Sequence, residues 1–347
     1  MFQEITLEEL FTLQQNKELV MIDVRSPSEF HDGTIPGSVN IPLFNDEERA
    51  EIGTIYKQVS VQAAKDRGLE IVSAKLPAFV KAFEQLKGQR AVYCWRGGMR
   101  SRTTATVLSL MGIRVYRLTG GIRTYRKWVV EVLEQMELKP PSIILLGHTG
   151  IGKTAILRQL QAEGYPVLDL EHMAGHRGSI FGQVGLRANN QKTFESLLVG
   201  QVLHIQDAPY VLIEGESKRI GKAVLPDFII RKKEAGVQLF IEMPIEERVR
   251  HILEDYQPYD NKVELLQAFK HIKDRIHTPI AKEIETGLQE EQYAHAVRLL
   301  LEHYYDPRYE HAMRQYEHER VVIPAKSVAD AVQAVRDYLA QWNQQTV

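Results

Sequence analysis

The chain has 347 residues, with 43 Lys and Arg against 45 Asp and Glu, and a single cysteine. That length is enough for two domains with separate cores, and a net charge of −2 gives no global sign of nucleic-acid binding. One cysteine excludes an intrachain disulfide and fits a reducing compartment. No apolar run is long enough for a bilayer and the first residues lack a signal-peptide pattern, so a cytoplasmic protein without a membrane partner is expected.

In chain order, residues 7–15 have helical spacing and residues 19–24, LVMIDV, read as a buried strand. Ser26, Pro27, Ser28 and Glu29 can open a short helical turn. Pro and Gly mark turns through residues 25–43, with a short strand at 38–41. Residues 45–76 are charged and mostly helical. Next comes RAVYCWRGGMRS, residues 90–101, a strand, a glycine loop and a helix start. Such a loop makes a cradle of backbone N–H groups for an anion. Cys94 stands at its mouth, and Arg96 and Arg100 on either side of Gly97 and Gly98 favour the thiolate over the thiol. Gly-Gly and two arginines are poor material for a core, which argues against a merely buried cysteine. From Arg90 to Val130 there is no Asp or Glu. The cations of that stretch, among them Arg102, Arg123, Arg126 and Lys127, suit an anionic partner, with a solvated face as the alternative.

Residues 128–137 read as a helix that Lys139-Pro140-Pro141 stops, the best domain boundary in the chain. The strand SIILL, residues 142–146, then runs into GHTGIGKT. This is a complete phosphate loop with a strand before it and a helix after it. Gly147, Gly150 and Gly152 let the backbone hold a diphosphate, Lys153 neutralises it, and Thr154 is placed to hold Mg²⁺. Strands follow at 166–170, 210–213, 237–242 and 319–324, an alternating βα rhythm. Asp169, Glu171, Glu214 and Glu216 sit at strand ends, where such folds place carboxylates for a metal or water; one or two of them are expected to be simple caps. The segment HMAGHRGSIFGQVGLRANNQ, residues 172–191, is too glycine-rich for a helix and reads as a mobile closing loop. His172 and His176 within it lack the third ligand of a zinc site. Lys218, Arg219 and Lys222 add basic surface. Residues 247–316 are successive amphipathic helices, and 328–342 close the chain as a helix.

The motifs DVRSPSEF and HDGTIPGSVNIP, the cysteine loop, and LTGGIRTYRKW at 118–128 occur in the order of a rhodanese domain, which the first 130 residues resemble. The resemblance implies a cysteine that carries sulfur or a related chalcogen. Two departures stand out: the insertion at 45–76, and five residues between Cys94 and Arg100 where that family has four. Five is also the spacing of cysteine phosphatases, so the loop suits an anion at least as large as phosphate. Asp23 and Arg25 are expected to pair with each other or with loop backbone.

Taken together, CWRGGMRS, GHTGIGKT, LDLEHMAGHRGS and VLIEGES resemble the tRNA 2-selenouridine synthase family over essentially the full length. The fold implied is an α/β rhodanese-like domain over 1–134, a linker at 135–141, and a P-loop NTPase-like α/β domain over 142–347 with a helical C-terminal region. The resemblance implies a transferase with no tightly bound cofactor beyond Mg²⁺. It would geranylate wobble 2-thiouridine of tRNA from geranyl diphosphate, then exchange the S-geranyl group for selenium from selenophosphate, itself delivered by a supplying enzyme. Cys94 would be catalytic, with Arg96, Gly97, Gly98 and Arg100 binding selenophosphate and the basic stretch binding tRNA. A nucleotide-dependent kinase or ATPase with a sulfur-carrier domain, a cysteine phosphatase, and a docking module remain open alternatives.

Overall fold

Strands rich in Leu, Ile and Val alternate with helices along the chain, and in the computed structural model each half closes around its own parallel sheet. The structure describes residues 2–16, 19–313 and 320–346. Two compact units result, one of Met1–Gln135 with Glu195–Leu197, the other of the remaining residues.

The first unit runs β1 (Gln3–Ile5), α1 (Leu7–Asn16), β2 (Leu19–Asp23), α2 (Pro27–Asp32), β3 (Val39–Asn40), α3 (Asp46–Gln58) and α4 (Val61–Glu84). It continues with β4 (Gln89–Tyr93), α5 (Met99–Leu110), β5 (Tyr116–Leu118) and α6 (Gly121–Gln135). The strand order is β1-β5-β4-β2-β3, all parallel. Register decides what this does for function. Asp23 lies opposite Tyr93, so the turn after β2 and the loop after β4 leave the sheet at one edge. The charged insertion is the α3–α4 hairpin, started by an Asn45 capping box. Its second helix continues beyond residue 76, through Pro77 to Glu84. The helix assigned to 128–137 begins earlier, at Gly121, so LTGGIRTYRKW is the end of β5 and two turns of α6.

The second unit starts with β6 (Ser142–Leu146), α7 (Lys153–Ala162), β7 (Val167–Leu168), α8 (Leu170–Ala174), α9 (Gln191–Ile205) and β8 (Val211–Glu214). A small hairpin, β9 (Arg219–Ile220) and β10 (Ala223–Val224), leads to α10 (Asp227–Ala235) and β11 (Val237–Glu242). The helical region is α11 (Ile245–Tyr256), α12 (Lys262–Lys270), α13 (Thr278–Gln289), α14 (Tyr293–Leu300) and α15 (Asp306–Met313). A π-helical turn, Leu301–Tyr305, joins the last two. Then β12 (Arg320–Pro324) and α16 (Val328–Thr346) close the chain; Glu319 and residues 314–316 lie outside the described residues. The sheet order β12-β11-β6-β8-β7 puts β6 in the middle with its neighbours on opposite sides. Parallel pairing sets Leu145 beside Glu214 and Leu168 beside Ile213. The phosphate loop and the carboxylates after β7 and β8 therefore meet at the C-terminal edge, where open α/β sheets bind ligands. Among the described residues no helix is long and apolar enough to cross a membrane.

Candidate functional site

In the first unit the rhodanese-type motifs build a scaffold around Cys94. Arg25 and Asp23 form a buried pair, Nη2 to Oδ2 2.6 Å, and Arg25 also donates to the Gly33 carbonyl. The Tyr93 hydroxyl lies 2.6 Å from Thr34 Oγ1, donates to Ser38 Oγ and accepts from Ile35 N–H. These contacts knit DVRSPSEF and HDGTIPGS under the strand that delivers the cysteine. Gly121 is required by the backbone. Its φ is +61° and a Cβ there would lie 2.1 Å from the Cys94 carbonyl oxygen. Arg117 is buried and donates to the Gly97 carbonyl while pairing with Glu4. Its role is to brace the loop, not to hold a ligand.

Cys94 is 3% exposed and packs with the apolar core, not at the mouth of the loop. Its Sγ lies 3.2 Å from Ser101 Oγ, the last residue of CWRGGMRS. The N–H groups of Trp95 to Arg100 donate to no described protein acceptor, which leaves the cradle open. Arg96 is exposed. Arg100 instead forms a fork with Glu29, with Nη2 3.1 Å from Oε1. Of the basic stretch, Arg90 caps the carbonyls of Phe83 and Leu86. Arg126 is ion-paired with Glu195, which clusters with the same unit. Lys127 pairs with Glu131 at 3.1 Å but stays exposed, and Arg102 and Arg123 are exposed as well.

In the second unit the three loop glycines all have positive φ, +151°, +90° and +79° for Gly147, Gly150 and Gly152. A side chain on any of them would strike Ile151, Ile252 or His251. The loop is held from the C-terminal helices. Buried Arg248 donates from Nε to the Thr149 carbonyl at 2.9 Å and forks onto Asp306. The Gly147 N–H donates to the Tyr309 hydroxyl at 3.1 Å. Nothing in GHTGIGKT announces these supports, which come from far along the chain.

Lys153 Nζ lies 3.6 Å from Glu216 Oε1. Burial alone would lower the Lys153 pKa, but Glu216 and Glu171, with smaller help from Tyr309 and Glu214, raise it. Thr154 donates its hydroxyl to Glu171. Glu171, mainly through burial and then through Glu216, is pushed up to about 8. Fully buried Glu214 accepts the Glu171 N–H at 2.5 Å, and burial, then Asp169 and Glu171, raises its pKa. Asp169 caps α8 through the His172 N–H, 2.7 Å, and pairs with Arg158. So Asp169 is a cap and Glu214 a brace, while Glu171 and Glu216 face the lysine. These two with Thr154 are the hard oxygen donors suited to Mg²⁺. No group of three His, Cys, Asp or Glu among the described residues forms a complete metal site. Mg²⁺ characteristically takes one or two carboxylates and completes its shell with substrate phosphates and water. The raised pKa of Glu171, from burial first and then from Glu216, reflects in part a nearby negative charge that a cation would relieve.

The segment at 172–191 is folded down, not free-standing. Phe181 and Val184 are buried in the helical core, and Arg177 pairs with Asp255 at 2.7 Å and stacks 4.7 Å over Tyr256. Gly178, φ +69°, lies against the carboxylates; a Cβ would be 2.2 Å from Glu216 Oε2 and 2.7 Å from Glu171 Oε1. Between this segment, the phosphate loop and the helices is a cavity of about 440 Å³. Its lining brings together Gly152, Lys153, Thr154, Glu171 and Glu216 with Phe181, Leu265, Leu288, Val297, Leu300 and Leu301. The apolar wall is what sequence reading missed, because its residues look like ordinary helix-packing positions.

Fold and site define a two-domain chain: a rhodanese-like unit with a cysteine loop, and a phosphate-loop unit whose anion grip opens into an apolar cavity. The family profile "tRNA 2-selenouridine synthase AAA domain" matches residues 140–346, and that of the rhodanese-like domain matches 6–128. A tRNA 2-selenouridine synthase of Bdellovibrio bacteriovorus is 38% identical over 72% of this chain and 66% of its own length. That of Nitrosomonas europaea is 35% identical over 68% and 63%, and that of Hahella chejuensis 31% identical over 92% and 90%. The chain thus spans just under two-thirds of the first two relatives and nine-tenths of the third. A solved rhodanese-related protein from Thermoplasma volcanium is 22% identical over 37% of this chain and 92% of its own, with a TM-score of 0.23. The chain belongs to the tRNA 2-selenouridine synthase family.

Proposed function

We propose that the protein is a transferase that converts 2-thiouridine in tRNA to 2-selenouridine in two stages. The observation that carries the first stage is the second unit's cavity, whose lining joins the phosphate-loop lysine and carboxylates to a set of leucines, a valine and a phenylalanine. Geranyl diphosphate, a diphosphate head on a hydrocarbon tail, matches both parts of that lining. Burying its ten carbons is worth up to roughly 8 kcal/mol at about 0.8 kcal/mol per carbon. Lys153 and the loop N–H groups hold the diphosphate while the thiocarbonyl sulfur attacks C1. The C–S bond forms as the C–O bond breaks, the electron pair leaves on diphosphate, and the base gives up its N3 proton to solvent. Thr154, Glu171 and Glu216 would hold Mg²⁺, which when bound screens that departing charge.

The second stage is assigned to the cysteine loop, whose open N–H groups suit selenophosphate, delivered by a supplying enzyme. Selenium attacks C2 of the base, the C2–S bond breaks, and geranylthiolate leaves with the electron pair and takes a proton. Water then hydrolyses the P–Se bond and releases phosphate. Arg96 is available to that anion directly, and Arg100 by exchanging Glu29 for it. Mass analysis of tRNA nucleosides tests the reading: geranyl diphosphate alone gives S-geranyl-2-thiouridine, and added selenophosphate gives 2-selenouridine. ATP hydrolysis by the chain, with neither nucleoside formed, would overturn it.

A further inference from the structure

A second concavity of about 470 Å³ lies in the phosphate-loop unit, against the outer side of the 172–191 segment. Lys222, Arg275, His271 and His176 line it, with Ser179 and Gln183 as hydrogen-bonding side chains. No carboxylate, phenol or indole is among its described lining residues. Its two strongest cations are unpaired among the described residues, whereas their neighbours are not. Lys218 is 3.2 Å from Asp227 and Lys273 is 2.7 Å from Glu285, but neither Lys222 nor Arg275 has such a partner. Lys222 follows Gly221 in the β9–β10 turn; Gly221 has φ +55°, and a Cβ there would lie 2.6 Å from the His176 ring. His176 and Ser179 also line the cavity that holds Lys153 and Glu216. The two concavities therefore share a wall.

The geometry points to this basic concavity as the seat of RNA backbone phosphates that flank the nucleotide being modified. The inference rests on the tRNA reading above and adds a place for the chain of that substrate. A base must leave its stack to reach an enclosed site, and its neighbouring phosphates then need anchors close by. Cations with hydroxyl and amide donors suit phosphates and sugars.

The test is tRNA binding by fluorescence anisotropy over a salt series, using the full chain and the Lys222→Ala/Arg275→Ala variant. Each lost phosphate contact lowers the slope of log K against log salt by about 0.7 to 0.9, so the double variant is expected to lose roughly 1.5. Its affinity for geranyl diphosphate, measured calorimetrically, should stay at the parent value, which also reports an intact fold. Lys222→Arg/Arg275→Lys should restore the slope. An unchanged slope in the alanine variant, with the parent binding tRNA normally, overturns this inference and leaves the proposed function standing. Failure of the parent chain to bind tRNA overturns both.

Discussion

Gly121→Ala isolates the contribution of the cysteine loop's geometry. At φ +61° a side chain costs about 1–2 kcal/mol, and the added Cβ would lie 2.1 Å from the Cys94 carbonyl oxygen and 2.6 Å from Gly97 N. Both are backbone atoms and neither can rotate away. Relief requires the loop to move, which breaks the Ile122 N–H to Cys94 carbonyl bond of 2.9 Å, worth about 1 kcal/mol net. The total, about 2–3 kcal/mol, lowers the first unit's melting midpoint on the order of 10 °C without unfolding it. A displacement near 1 Å at a reacting group typically costs about 10²-fold in rate. Nucleoside mass analysis should therefore show S-geranyl-2-thiouridine accumulating at the parent rate and selenouridine forming about 10²-fold more slowly. Selenation at the parent rate would refute the assignment of that step to this loop.

Cys94→Ala should stop at the geranylated nucleoside, whereas Lys153→Ala should block geranylation yet still selenate tRNA supplied already geranylated; the same mass assay reads both. Geranyl diphosphate at 100 times its Kd should stabilise the second unit by about 2.7 kcal/mol, roughly 5–10 °C in a melting scan, and equal protection by ATP would contradict the cavity argument. Glu171, pushed from 4.5 to about 8 mainly by burial, binds more protons folded than unfolded between those values. Without ligand, stability should fall as pH rises through that window. Glu171→Gln should flatten the slope and Mg²⁺ should oppose it; a parent curve already flat from pH 5 to 8 would count against the coupling.

Much of this was legible in the sequence because local chemistry dictated it. The strand before GHTGIGKT is a buried serine and four apolar residues, and the loop's glycines are forced by φ, so pattern and structure coincide from Ser142 to Thr154. Asp23 and Arg25 pair as charges that close together must when buried. Tertiary partners were not legible. Arg100 looks like an anion ligand until Glu29 is folded against it, and Arg117 and Arg90 look like surface until packing turns them onto carbonyls. Glu171 and Glu214 read alike as strand-end carboxylates, yet Glu171 lies in α8 and reaches Thr154 while Glu214 ends β8 and accepts the Glu171 N–H. The apolar wall escaped notice for a similar reason: Leu288, Val297 and Leu300 have the spacing of any buried helix face, and only assembly shows a cavity beside them.

With 3% of its surface exposed, the Cys94 sulfur is sheltered from the peroxides that drive accessible thiolates to sulfinic acid. The same shelter keeps bulky surface-borne groups from the sulfur, so what the first unit's loop presents outward is the row of N–H groups from Trp95 to Arg100, not the thiol.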